Sequence, residues 1–173
     1  MFHPEALGHG VRNNHTMDVA TSLLTACSGF LLAVLWMDLM FDAQVLADRN
    51  GEGELPESAL ASIAGYYRRA VTGSRPMSRL IPVVMLVLLV ALGFRAIRGH
   101  DPSWILAASG LLAGAPILLA LTHTVPNAVR LGSRSGDAAE QTALARSIWR
   151  DHLVCAGCVL AFLLLWVARS EMV

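Results

Sequence analysis

The chain has 173 residues, of which 55% are apolar and 15% charged, and its formal net charge is zero. That is too little charge to cover a soluble globule of this length. All 13 basic residues are arginine and form no compact basic run, so neither nucleic acid nor a polybasic lipid site is indicated. The apolar residues come in long blocks, the mark of a polytopic membrane protein.

Residues 1–17 read as a flexible tail. Its His3, His9 and His15 are spaced by six, which does not align them on one helix face. The first span is expected over about 19–46. Its stretch Val19–Met37 carries no charge and is long enough for a hydrocarbon core of about 30 Å. No small-x-small cleavage site follows, so the helix is expected to be retained. The span ends in VLWMDLMFDAQVL, where Asp38 and Asp42 stand one helical turn apart and project from one face.

NGEGELP then reads as a turn. After Pro56 the residues Ala59, Leu60, Ile63, Ala64 and Tyr67 recur at helical spacing, ending at Arg68 and Arg69. This predicts a short amphipathic helix lying on the membrane surface.

The second span is expected over 79–98. Its apolar core, Leu80–Phe94, covers only about 22 Å at about 1.5 Å per residue. It crosses a bilayer if Arg79, Arg95 and Arg98 snorkel at its ends. Pro82 is expected in its first turn, where proline is tolerated.

The third span is expected over 103–123, with Asp101 or Ser103 as its cap and a kink at Pro116. Gly110 and Gly114 form a small-x-x-x-small pair. The fourth span is expected over 147–169, its helix starting near 137–142 with acids first and arginines later, as a helix dipole favours.

The fold expected is an all-α integral membrane four-helix bundle, one domain over 1–173, with the amphipathic helix at the interface. Nine arginines fall on the side of the two larger loops and four on the side of the termini. That distribution places the larger loops in the cytoplasm and both termini outside, in a bacterial cytoplasmic membrane.

Three helix ends then bring polar residues to one depth: Asp38 and Asp42; His123 and Asn127; Arg146, Arg150 and His152. Arg146 and Arg150 are also one turn apart, so Asp–Arg bridges to Asp38 and Asp42 are expected as structural ion pairs. Ionisable residues inside spans mark either function or a packing pair. In a catalytic reading, His123 or His152 is the base, and Asp38 and Asp42 orient it or hold a metal. Asn127 and Arg150 then stabilise developing oxyanion charge. Any metal would use His123 and His152, but the lack of a His-x-x-x-His or Glu-x-x-His pair speaks against a site of the di-iron kind; the cofactor stays unknown. Cys155 and Cys158 form C-x-x-C inside an apolar span, and with Cys27 read as buried packing rather than a redox pair.

The elements TVPNAVRLG, SGDAAEQ and ARSIWRDH resemble the C-terminal half of the anthrone-oxygenase-like family of small four-helix membrane proteins. The resemblance covers about 50 residues and rests on Pro126–Asn127 and on Trp149 and His152. It implies a four-helix membrane bundle and an oxygenase acting on a hydrophobic aromatic substrate. WMDLMFD, in the first span, has no counterpart in that pattern. Two readings therefore stand: an oxygenase-like site at the cytoplasmic end, or a non-catalytic accessory or assembly subunit whose ion pairs fix helix register. The partners expected are the lipid bilayer, a hydrophobic small molecule and other membrane subunits or copies of this chain.

Overall fold

A computed structural model describes residues 5–47, 53–73, 75–99 and 101–170, and no strand occurs among them. Helix α1 runs Glu5–Asp42 and ends in a 3₁₀ turn, Ala43–Ala47. Helix α2 is Glu57–Tyr67, followed by a π-turn over Arg68–Gly73. Helix α3 is Arg75–Arg98 and α4 is Ser103–Leu119. A π-turn at Ala120–Thr124 joins α4 to α5, Val125–Gly132, and α6 is Ala138–Ser170.

Four stretches are long and apolar enough to cross a membrane: Val19–Leu46, Ser78–Arg98, Ser103–Gly132 and Ala138–Ser170. The chain is that of an integral membrane protein, an all-α bundle. In each span only 22–28% of the most apolar window is buried inside the protein, which leaves the remaining side chains to lipid.

Helix α1 packs against α6 and α3, and α4 packs against α6, while α3 and α4 meet sparsely. The helices therefore run α1, α3, α4, α6 around the bundle. The buried face of α6 explains its fit: Ile148, His152, Cys155, Val159, Phe162 and Trp166 step by four and three, the seam of antiparallel bundles. At the bundle centre Phe162 and Trp166 pack with Leu24, Leu31 and Leu88. Asp38 and Asp42 belong to the matching seam of α1, which is why two acids one turn apart face inward.

Several boundaries differ from expectation. Helix α1 begins at Glu5, so most of the expected tail is helical backbone. Extending an existing helix is far cheaper than nucleating one. His3 and the side chains of His9 and His15 lie outside the described residues. Helix α3 starts at Arg75, so Pro82 falls inside it rather than in its first turn. The third span continues past residue 123 to Gly132. Pro102 occupies the cap position of α4 without a side-chain cap hydrogen bond; Asp101 is engaged elsewhere. Asp137 Oδ1 does cap α6, accepting from the Glu140 amide at 2.8 Å.

The buried residues of α2 are Ala59, Leu60, Ile63, Ala64 and Tyr67, the stripe read from the sequence. Its cover is protein: Ala128 and Leu131 of α5 and Leu144, Ala145 and Ile148 of α6. Helix α6, at 33 residues, is about 50 Å long, well beyond a hydrocarbon core of about 30 Å. Its first turns, beyond that thickness, close one end of the bundle with α2 and α5.

Gly132 is the close approach in this cap. A Cβ there would stand 3.1 Å from the Arg68 backbone nitrogen and 3.3 Å from its Cα. Gly132→Ala is expected to push α5 off the end of α2 and to cost about 1–3 kcal/mol, read as a lowered melting temperature in detergent.

Candidate functional site

Helix α1 carries Asp42 to the point where α2 and α6 meet. Asp42 is fully buried. The Tyr67 hydroxyl donates to its Oδ1 at 2.5 Å, and His152 Nδ1 lies 2.6 Å from its Oδ2. A carboxylate only accepts, so Nδ1 of His152 carries a proton, and in the neutral ring Nε2 is the basic nitrogen. One turn earlier, Asp38 Oδ1 accepts from the Tyr66 hydroxyl at 2.6 Å, and Phe41 stacks on the Tyr66 ring at 4.1 Å between centroids. Asp38 Oδ2 stands 4.0 Å from His152 Nε2, too far for a direct hydrogen bond and close enough for one bridging atom.

Both tyrosines stay protonated. Burial, followed by the charge of Asp42 and the hydrogen bond to it, pushes the Tyr67 hydroxyl far above its ordinary range. Burial, then the hydrogen bond to Asp38, does the same for Tyr66. Two donors therefore hold two carboxylates in place.

This cluster closes one end of a cavity of about 420 Å³ between α1, α3, α4 and α6. The volume lies in the range of about 300–1,000 Å³ usual for small-molecule sites. Leu31, Leu35, Met85, Pro116 and Phe162 give it apolar walls, and Asp38, Tyr67 and His152 line its polar end. Ser28 also lines it, but its hydroxyl is turned back to the Leu24 carbonyl at 2.7 Å.

The residues expected at one site divide into two. His123, whose side chain is 49% exposed, pairs through Nδ1 with Asp151 Oδ2 at 2.7 Å. Asn127 Nδ2 lies 3.3 Å from His123 Nε2, and Thr124 donates to Asp151 at 3.0 Å. Neither His123 nor Asn127 lines the cavity. The cause is the π-turn. Ser109, Ala113 and Pro116 set a seam that an unbroken helix would continue through 120 to 123, 127 and 130. The buried residues are instead Thr124, Ala128 and Leu131, one position later. A π-turn adds one residue to the helix, and it lies just before Pro126, whose ring and missing N–H an α-turn would not accommodate.

The expected Asp–Arg bridges are replaced as well. The carboxylates of Asp38 and Asp42 are held by Tyr66, Tyr67 and His152. Arg150 is exposed, and Arg146 donates to the Gly53 carbonyl at 2.8 Å. Both arginines sit off the α6 seam, while tyrosine hydroxyls reach acids buried beneath α2. Among the described residues no three His, Cys, Asp or Glu side chains are arranged to hold a metal. Cys27, Cys155 and Cys158 are free thiols, the first two of them buried.

Tyr66, Tyr67, Thr124 and Asp151 were absent from the sequence-derived site. Tyr67 sat on the apolar stripe of α2, and its place there was the available signal. Comparison with family models, characterised proteins and solved structures gave no match.

Proposed function

We propose that this protein is a membrane enzyme that takes a hydrophobic small molecule into the bundle and moves a proton at its polar end. The observation that carries this reading is the Tyr67–Asp42–His152 chain placed at the one polar end of an apolar cavity. Asp42 fixes the ring and the tautomer of His152, Tyr67 anchors Asp42, and Nε2 faces the ligand as the base. Asp38 supplies a second acceptor beside it. Removing a proton from a lipophilic phenol or ketone leaves an electron-rich anion, the form that dioxygen attacks. The chemistry thus agrees with an oxygenase of the anthrone-oxygenase-like kind. Asn127 and Arg150, off the cavity, have no part in it. The arginine distribution orients the cap of α2, α5 and the start of α6 toward the cytoplasm, with both termini outside, in a bacterial cytoplasmic membrane.

The test uses the protein in lipid nanodiscs with 2-naphthol, whose absorption separates the neutral from the ionised form. Wild type is expected to bind it and to raise the naphtholate band at neutral pH. His152→Gln is expected to bind it in the neutral form, at least about tenfold more weakly. Binding that His152→Gln leaves untouched would overturn the reading. The accessory-subunit reading draws on a buried ion pair at the other end of the bundle, Arg95 with Asp101 at 2.6 Å; it requires that His152→Gln change melting temperature alone.

A further inference from the structure

The cavity has walls of two kinds. The residues that α1 and α6 contribute are all buried or half-buried. Four cavity-lining residues are exposed on the outside of the bundle: Ser78, Pro82, Leu121 and Val125. They form two pairs, each one helical turn apart, on α3 and the end of the third span, which do not approach each other closely.

The backbone explains the gap. Pro82 lies inside α3, and the π-turn at Ala120–Thr124 carries Leu121 on the facing helix. The π-turn thus breaks the regular seam on one side of the gap, and the proline ring replaces a backbone N–H on the other, where a regular pair would pack ridge into groove. The exposed neighbours of the gap are Val83, Leu86 and Leu118 on one side and Arg79 and His123 on the other. The gap therefore opens sideways at the edge of the apolar belt, where arginine and histidine mark the headgroup level.

The polar end fixes what can bind. His152 Nε2 and Asp38 Oδ2 both accept hydrogen bonds and stand 4.0 Å apart. A ligand hydroxyl, with its single proton, meets one of them by donating.

We infer that the gap between Ser78–Pro82 and Leu121–Val125 is a lateral portal through which a lipid-dissolved molecule with an apolar body and a terminal hydroxyl passes from the bilayer to His152. This rests on the proposed site and adds the route and the donor group.

Stopped-flow fluorescence with 2-naphthol-loaded nanodiscs tests it. Leu121, 65% exposed at the rim, is the residue to change. Leu121→Trp narrows the gap and is expected to slow association and dissociation together, each at least about tenfold, with Kd moving less than threefold. Leu121→Ala is expected to speed both. 2-Methoxynaphthalene, which lacks the donor, is expected to bind at least about tenfold more weakly. Unchanged rates in both Leu121 variants, with naphthol binding intact, would overturn the portal and leave the site standing. Equal affinity for the methoxy compound would overturn the donor requirement. No naphthol uptake by wild type would overturn the site and the portal with it.

Discussion

Asp42→Ala is expected to cost about 2–6 kcal/mol, because two buried donors lose the carboxylate they share. The reason is what remains. Asp42 ties α1 to α2 through Tyr67 and to α6 through His152. Without it, a buried hydroxyl and a buried imidazole N–H each lose a partner, at about 1–3 kcal/mol apiece. For a chain of this length the melting temperature should fall by about 10 °C, at about 2–4 °C per kcal/mol. Asp42→Asn separates stability from chemistry. Its amide oxygen can accept from Tyr67 while its NH₂ donates to His152 Nδ1, which drives the ring proton to Nε2. The fold should lose about 1 kcal/mol, as for one ordinary hydrogen bond, and the base should disappear. Thermal unfolding and the absorption of bound 2-naphthol read the two effects on one sample. An Asn variant that unfolds like the Ala variant, or that still ionises the probe, would show that Asp42 does not set the tautomer. Tyr67→Phe completes a cycle with Asp42→Asn, since the two groups share a hydrogen bond and their effects should not add.

What the sequence made legible was periodicity. Long apolar blocks specify spans whatever their neighbours do, and the α2 stripe at 59, 60, 63, 64 and 67 needs only a 3.6-residue repeat to be recognised. The same reasoning put Asp38 and Asp42 on one inward face. The errors lie where one pattern has two physical outcomes. An arginine at the end of an apolar helix can snorkel to the interface or turn inward, and only a partner distant in sequence decides. Arg95 turns inward because Asp101 and Thr21 are there. His123 and Asn127 fit an unbroken seam; one inserted residue at the π-turn moves them outside, and nothing in a hydrophobic pattern announces such a turn except Pro126. Tyr67 looks apolar on a helical wheel, although its hydroxyl is the group that reaches Asp42.

Asp101→Ala is the second large effect, at the opposite end of the bundle. Arg95 is only 5% exposed. It grips Asp101 with two parallel bonds, Nε to Oδ2 at 2.7 Å and an η-nitrogen to Oδ1 at 2.6 Å. Its other η-nitrogen donates to Thr21 at 2.7 Å, and the guanidinium lies 4.9 Å over the Trp166 ring. Arg169 approaches the same carboxylate at 3.6 Å. The helical hairpin of α3 and α4 is thereby fastened to α1 and α6. Removing the acid leaves a guanidinium buried without its counter-charge, at an expected cost of about 3–5 kcal/mol. The same pair predicts an acid limit. Burial alone would raise the Asp101 carboxyl, but the hydrogen bonds and charge of Arg95, with Arg169, outweigh it and hold it below the usual carboxylate range. A carboxylate lowered on folding contributes stability that is full above its unfolded value of about 3.9 and lost as pH falls through the lower, folded value. The melting-temperature gap between wild type and Asp101→Asn should therefore be constant near neutrality and close at the acid end. A gap that stays constant through that range would mean that the carboxylate of Asp101 is not what holds Arg95.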